Sequence, residues 1–474
     1  MKNMRKFYIN GRWIDPVESC DFEVINPATE EAVATISLGS SADIDKAVAA
    51  ARNAFDDWGQ TAVEERAVLL DKLIAIYKRR SKEMAMIMTQ EMGTPITLSL
   101  NDQASAGDGH LQSTVDALRA HQFEHSSPRG GSVVRNEPIG VCALITPWNW
   151  PINQVVVKVA PALAAGCTVV LKPSEYSPLS AILFAEMVDE VGFPTGVFNL
   201  VNGDGTGAGS AMTGHRDVDM VSFTGSTRAG ITISKVAADS VKRVSLELGG
   251  KSPNLLFADA DLEAAVNFSV SSVFSNSGQS CDAPTRLIVE HSVYDQVVDL
   301  AVKAAETTNV GDPMKEGDHI GPVVNKKQFN TIQAMIQMGI DEGARLVIGG
   351  TGRPQGLNKG YYVRPTIFID VNNDMAIARE EIFGPVLTII PFDDEADAIR
   401  IANDTPYGLA AYIQSGNQER TQRVARKIRA GNVSINGADV DYDVPFGGYK
   451  QSGNGRENGA YGLHEYLEIK TITG

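Results

Sequence analysis

Val141-Cys-Ala-Leu-Ile-Thr-Pro-Trp-Asn-Trp-Pro-Ile-Asn-Gln-Val-Val-Val-Lys-Val-Ala-Pro-Ala-Leu-Ala-Ala-Gly-Cys-Thr-Val-Val-Leu171 decides the fold. Val141–Ile145 is a short apolar run bounded by turn residues, as in a strand buried on both faces. Pro151 opens and Gly166 closes a stretch of helical length, the usual asymmetry of helix ends. Thr168–Leu171 is a second apolar run. The cadence continues with a helix over Pro178–Val191 closed by Gly192, strands at Val197–Val201 and Met220–Phe223, a helix over Ser226–Ala238 and a strand at Val244–Leu248. Strand, helix, strand at this spacing predicts a parallel, doubly wound sheet in an α/β protein. Such sheets bind ligands at the carboxyl ends of their strands.

Upstream, residues 5–40 alternate short extended runs with turns, and residues 42–89 predict two helices interrupted near Gly59. Val115–Arg129 predicts a mixed helix end. Gly130–Pro138 predicts a hairpin or arm with little to bury on its own. Downstream, a second α/β run is expected. Its strands fall at Asn254–Phe257, Thr285–Glu290, Ala344–Ile348, Val363–Ile369 and Val386–Phe392. Helices near Leu262–Ser275, Val293–Glu306, Lys326–Glu342 and Glu395–Ala402 lie between them. The tail ends in the alternating Leu467-Glu-Ile-Lys-Thr-Ile472, a candidate edge strand for another subunit.

Bulk composition narrows the function. A chain of 474 residues suggests roughly three domains, and 43% hydrophobic with 21% charged residues fits a globular protein with a full core. A net charge of −16 argues against nucleic acid, whose phosphates need clustered Lys and Arg. Met1-Lys-Asn-Met-Arg-Lys-Phe-Tyr8 has no apolar run behind its basic residues, so no signal peptide is expected. No apolar run is long enough for a membrane span. Cys20, Cys142, Cys167 and Cys281 form neither a disulfide framework nor a zinc pattern. The expectation is a reduced, cytoplasmic protein without a metal.

Several stretches carry chemistry. Ser277-Gly-Gln-Ser-Cys-Asp-Ala-Pro-Thr-Arg286 places Cys281 in a turn-rich connection, where a small molecule can reach a thiol; the ordinary alternative is core filler. Ile145-Thr-Pro-Trp-Asn-Trp-Pro151 ends a buried strand. Its Asn149 amide suits a developing oxyanion or, equally, a cap on the following helix. At Leu171-Lys-Pro-Ser-Glu175, Lys172 offers a point charge. Glu175 is an acceptor for a ribose diol that repels a 2′-phosphate, favouring NAD over NADP. Phe223-Thr-Gly-Ser-Thr-Arg-Ala-Gly230 is a glycine-bearing strand-to-helix turn whose amides can face a pyrophosphate. Asn202-Gly-Asp-Gly-Thr-Gly207 is a phosphate loop or a plain turn. Glu247 lies in an apolar strand before Gly249-Gly250, where a carboxyl should have a raised pKa and serve as a general base, unless a Lys or Arg pairs with it. Glu380-Glu-Ile-Phe-Gly-Pro385 and Pro445-Phe-Gly-Gly448 are further aromatic turns.

Taken in order, these motifs resemble the NAD(P)-dependent aldehyde dehydrogenase superfamily, from Tyr8-Ile-Asn-Gly-Arg-Trp13 to the C-terminal strand. The resemblance implies two doubly wound α/β domains, one a Rossmann-like cofactor domain and one catalytic, plus a small β oligomerisation arm. The NAD-binding domain would comprise 1–120 and 140–248, with 450–463 returning to it. The catalytic domain would be 249–449, and 121–139 with 464–474 the arm and tail of a homodimer or homotetramer. It implies Cys281 as nucleophile through a thiohemiacetal and a thioester, Asn149 as oxyanion donor and Glu247 as activator of the hydrolytic water, the acid-forming branch of the family. For the cofactor it implies Ile145, Pro147, Trp148, Lys172, Ser174, Glu175, Gly205, Phe223, Gly225, Ser226, Leu248, Gly249, Glu381 and Phe383. Lys158 and Glu457 would form a proton path, with an ordinary buried ion pair as the alternative.

Trp150, Val157, Asp282 and Phe446 would line the substrate tunnel. Asp282, with Asp441 and Asp443, would make it negative, unless all three side chains face solvent. An aromatic, bulky or amino aldehyde is then expected over an acidic semialdehyde. A Cys/His hydrolase is a rival, though the seven histidines sit in no partner motif. A non-catalytic binding protein on the same fold is another.

Overall fold

The structure, a computed structural model, describes residues 3–439 and 441–474. Met1 and Lys2, where the N-terminal reading begins, lie outside the described residues. Among the described residues, eight strands form one sheet and seven another. The first sheet runs, edge to edge, Gly453–Asn454, Arg243–Glu247, Met220–Thr224, Val141–Ile145, Thr168–Lys172, Phe198–Leu200, Phe7–Ile9 and Arg12–Ile14. Its five central strands are parallel.

Alternate residues of the Val141 strand feed opposite cores. Cys142 and Leu144 pack on one face, and Val141, Ala143 and Ile145 on the other. Burial on both sides is why this strand reads as a continuous apolar run. The sheet grows from it outward to the Thr168 and Phe198 strands, then returns to its other side for the Met220 and Arg243 strands. That reversal opens a crevice at the carboxyl ends of the Val141 and Met220 strands. The helices Pro151–Ala165 and Pro178–Val191 have the bounds their proline and glycine ends predict.

The second sheet runs Arg345–Ile348, Thr366–Ile369, Val386–Phe392, Arg286–Glu290, Pro253–Leu256, Ala410–Gln414 and Asn432–Ile435. All its neighbours are parallel except the first pair. The Ala410 and Asn432 strands extend the expected run. Short length and polar residues such as Gln414 and Ser434 hide their period. No helix of the structure is long and apolar enough to cross a membrane.

One expectation is corrected. The helix near residue 115 spans Ala104–Ala120 and stops there, while Glu124–Ser126 is a strand of the arm. Its Gly107 and Gly109 make room for the rings of Tyr77 and Tyr442. The tail strand Leu467–Thr473 pairs antiparallel along its whole length with Ser132–Pro138 of its own chain. Arm and tail thus satisfy each other's backbone groups, and the tail lies at an edge of a three-stranded sheet.

One buried carboxylate ties the helical layer together. Glu91, near the end of the helix Val63–Met92, accepts hydrogen bonds from the amides of Leu179 (2.6 Å) and Ser180 (3.1 Å) at the start of the Pro178 helix. Burial pushes its pKa up from 4.5 to about 7 in spite of those bonds. The folded state therefore binds a proton more tightly than the unfolded chain, and the stability linked to that proton is lost as pH rises from about 4.5 to about 7. Thermal unfolding from pH 5 to pH 8 should show the wild type losing roughly 2–4 °C more than Glu91→Gln. Parallel curves for the two proteins would show that Glu91 does not carry this proton.

Candidate active site

Cys281 sits between the helix Leu262–Phe274 and the strand Arg286–Glu290. The chain reaches it through three consecutive left-handed residues, Asn276 (φ 51°), Ser277 (φ 56°) and Gly278 (φ 73°). The two that are not glycine cost about 1–3 kcal/mol each. Side chains over-determine the turn. Thr94 Oγ1 donates to Asn276 Oδ1 (3.0 Å), Asn276 Nδ2 to the Asn149 carbonyl (3.0 Å) and Ser277 Oγ to the Gly321 carbonyl (2.7 Å). Gln279 Oε1 accepts from the Val324 amide at 2.9 Å. A β-carbon at Gly278 would overlap the Gly384 carbonyl, and one at Gly250 the Cys281 carbonyl. Only glycines let these backbones approach.

Asn149 does not cap the helix that follows. Trp150 holds the cap position without a side-chain bond. The buried Asn149 Nδ2 instead donates to the Gln279 carbonyl at 3.2 Å, and Asn149 and Cys281 line one cavity of about 370 Å³. Pro147, Trp148, Gly225, Ser226, Leu248, Gly249, Glu381 and Phe383 share that cavity, which opens at the crevice between the Val141 and Met220 strands. No histidine lines it.

Burial pushes the Cys281 thiol well above its usual pKa, and the carboxylates of Asp282, Glu381 and Glu247 push it further. Glu381 accepts from the Gly250 amide at 3.2 Å, and burial raises its pKa to about 7. A β-carbon on Gly249 would overlap its carboxyl group. Phe383 (φ 57°) stands edge-on to Trp148, with ring centres 5.4 Å apart. Ser226 caps the helix Thr227–Ala238 through its Oγ, while Gly225 keeps the turn free of a side chain above the Phe223 ring. Open amides at a helix start, a side-chain-free turn and a carboxylate acceptor suit a dinucleotide.

The remaining expected cofactor residues lie at neighbouring strand ends, outside this cavity. Ile145 is the buried last residue of its strand, beside Lys172 and Phe223. Lys172 Nζ donates to the carbonyls of Pro173 (2.9 Å) and Gly203 (2.8 Å), and burial lowers its pKa. Ser174 Oγ accepts from the Tyr176 amide, and Glu175 is half-buried beside it. At Gly205 the loop turns on Asp204, whose carboxylate accepts from the Gly207 amide at 2.6 Å.

Glu247 is buried, and neither of its oxygens has a hydrogen-bonding partner. Burial raises its pKa well above the usual range. Glu457 raises it further, and Lys158 and Arg456 pull against that. The salt-bridge alternative is not realised among the described residues. Glu247 lies behind the cavity wall with Oε1 toward Gly447. Lys158 and Glu457 are paired at 2.5 Å and buried.

A second, larger cavity of about 1050 Å³ takes Trp150, Ser280 and Asp282 into its wall. Trp150 Nε1 donates to Ser280 Oγ at 2.9 Å. Val157 and Phe446 line neither cavity. Val157 is buried in its helix, and the backbone of Phe446 pairs with Glu457. Asp441 and Asp443 are exposed and outside the wall, and the Asp443 carboxylate accepts a bond from Ser113. The aspartates that do line it are Asp102, Asp282, Asp318 and Asp439. Sequence reading also passed over Tyr176, Thr224, Arg228 and Gln328 in the smaller cavity. Gln328 Nε2 holds the carbonyls of Ile382 (3.0 Å) and Phe383 (2.9 Å), a long-range bond with no local signature.

The model of the aldehyde dehydrogenase family matches residues 13–472. The chain is 53% identical over 475 residues to 3-succinoylsemialdehyde-pyridine dehydrogenase of a Pseudomonas species, covering 100% of this chain and 99% of that one. An aldehyde dehydrogenase of Bartonella henselae superposes with a TM-score of 0.98 at 52% identity, with both chains covered completely. A cysteine-to-alanine variant of aldehyde dehydrogenase C from Pseudomonas syringae, solved with NAD+ and octanal, gives a TM-score of 0.98 at 51% identity, covering 99% of this chain and 97% of that one.

A half-buried thiol among carboxylates should alkylate slowly. With iodoacetamide and no ligand, modification of Cys281 at pH 8, followed by peptide mass, should run at least about tenfold slower than that of free cysteine. It should still be climbing above pH 9, because thiolate is the reactive form. A rate matching free cysteine would show that the carboxylates do not act on the sulfur.

Proposed function

The chain belongs to the aldehyde dehydrogenase family and oxidises aldehydes with NAD, and from that premise we propose the residues that carry the reaction. The observation behind the reading is that Cys281 and Asn149 share one cavity with Gly225, Ser226, Glu381 and Phe383 at the reversal of the first sheet.

Cys281 sulfur attacks the aldehyde carbon. A C–S bond forms, and the carbonyl electron pair moves to oxygen. The Asn149 side-chain amide and the Cys281 backbone N–H stabilise that oxyanion. NAD, when held by Glu381, Phe383, Ser226 and Gly225, would supply a hydride acceptor, so that loss of hydride from the tetrahedral carbon would leave a thioester on Cys281. Glu247, in its carboxylate form, takes a proton from water as the water attacks the thioester. The C–S bond breaks and the acid leaves. Aldehyde, NAD+ and water thus become carboxylic acid, NADH and a proton. Glu247 must leave its nook beside Gly447 to reach the thioester, and the Lys158–Glu457 pair behind it is placed to pass the proton outward.

Glu381 and Phe383 would hold the nicotinamide half of the cofactor, and Ser226 with Gly225 the pyrophosphate. Lys172 and Glu175 would hold the adenine ribose, where the Glu175 charge disfavours NADP. The larger cavity, walled by Trp150, Phe268 and Tyr412, suits a long or ring-bearing aldehyde. The Pseudomonas relative is named for a pyridine-bearing semialdehyde, and the P. syringae structure holds octanal. A semialdehyde remains the alternative substrate. The first sheet supports a cofactor domain of 1–120 and 140–248 closed by 450–463, and the second a catalytic domain of 249–449. The arm and tail would join copies of the chain into a dimer or tetramer, because Ile469 and Ile472 are exposed on the edge strand. Four free cysteines fit a cytoplasmic site.

NADH formation with alkyl, aromatic, amino and acidic aldehydes, given NAD or NADP, tests the reading. Cys281→Ala should abolish turnover, and Asn149→Ala should lower kcat by about 10²–10³. Glu247→Gln should still release one equivalent of NADH in a burst, then stall in the steady state by about 10²-fold or more. A Glu247→Gln enzyme with normal steady-state turnover would remove Glu247 from hydrolysis.

A further inference from the structure

The wall of the larger cavity carries Asp102, Asp282, Asp318 and Asp439, and no lysine or arginine lines it. Elsewhere, aspartates such as Asp21, Asp219 and Asp374 meet arginines at the surface. These four have no such partner among the described residues. Asp102, Asp318 and Asp439 are exposed, while Asp282 is half-buried and directly follows the nucleophile. His319, also in the wall, donates its Nε2 hydrogen to the Asp312 carbonyl at 3.0 Å.

Resting on the catalytic reading above, we propose that this cavity is a charge filter: it favours aldehydes bearing a cationic group and turns away those bearing a carboxylate. Uncompensated charges of one sign on a concave wall focus their field and enrich the opposite sign inside. The gradation matters. Three exposed carboxylates act at the mouth, where salt screens them, and Asp282 acts in the half-buried part next to the reacting carbon. A substrate carboxylate there would meet a like charge with little water between them. A substrate cation would meet Asp282 and, on its way in, the faces of Trp150, Phe268 and Tyr412, which favour cations. Burial raises the pKa of Asp282, as expected for an acid with no fixed cation near it. Acidic semialdehydes are therefore the class the wall disfavours. The carboxylates responsible are Asp102, Asp318 and Asp439 together with Asp282, in place of Asp441 and Asp443.

The test compares kcat/KM at pH 8 for three aldehydes of one chain length: an ω-trimethylammonio aldehyde, its tert-butyl isostere and the ω-carboxylate. The wild type should prefer the cation to the anion by at least about tenfold. Asp282→Asn should shrink that ratio by about five- to tenfold, and the double variant Asp102→Asn/Asp439→Asn by about two- to fourfold. Raising the salt to half-molar should erase most of the mouth contribution and less of the Asp282 contribution. If Asp282→Asn does not fold, the double variant and the salt series still decide the matter. A ratio near one in the wild type, or ratios unmoved by both variants, would overturn the charge filter while leaving the catalytic reading intact. Absence of Cys281-dependent NADH from the uncharged isostere would overturn both.

Discussion

The left-handed turn Asn276-Ser277-Gly278 is the constraint on which the site depends. Left to itself, a chain avoids two successive non-glycine residues at positive φ. Here the amides and hydroxyls of Thr94, Asn149, Asn276, Ser277 and Gln279 close on one another and hold it. Because Asn149 follows a strand of the first sheet and Asn276 precedes a strand of the second, the bonds that hold the turn also join the two halves. Cys281 and Asn149 are thereby placed by one network. Gly278 against Gly384 and Gly250 against Cys281 add two backbone contacts that no side chain could enter. The glycines of three separate sequence motifs thus serve one joint.

Electrostatics within that joint run against the chemistry. A thiol must ionise to attack, yet burial and three carboxylates favour its protonated form. Glu247 must be a carboxylate to activate water, yet burial and Glu457 favour its acid. Each opposes the ionisation of the other, so neither is charged without cause. A cation brought close to the sulfur would reverse the first balance, and NAD+ carries its positive charge on the nicotinamide ring.

Much of this was legible because glycine and proline punctuate the chain sharply. The helix bounds at Pro151, Gly166, Pro178 and Gly192 follow from residues whose backbone preferences are strong and local. Cys281, Asn149 and the Gly225 turn fall at strand ends, where the topology rule places ligands. The unread parts depend on distance in sequence. Gly107 and Gly109 serve the rings of Tyr77 and Tyr442, which are remote in sequence. Arm and tail could not be matched without knowing that their seven positions align. Asp441 and Asp443 drew attention through nearness to Pro445-Phe446. Asp102 and Asp318, on other segments, reach the cavity only through the fold.

The nucleophile loop is also a partition. Cys281 opens on the smaller cavity, whereas its neighbours Ser280 and Asp282 open on the larger. Adjacent side chains thus border different cavities, and residues 280 and 282 do not line the smaller one. The separation is steric, not electrostatic. A carboxylate on the substrate side still acts through the thin wall, and Asp282 heads the charges that oppose ionisation of the thiol. An acid at this position therefore trades nucleophile acidity for attraction of cations. That exchange favours the enzyme only where the incoming aldehyde brings positive charge, or where cofactor binding has already offset the wall.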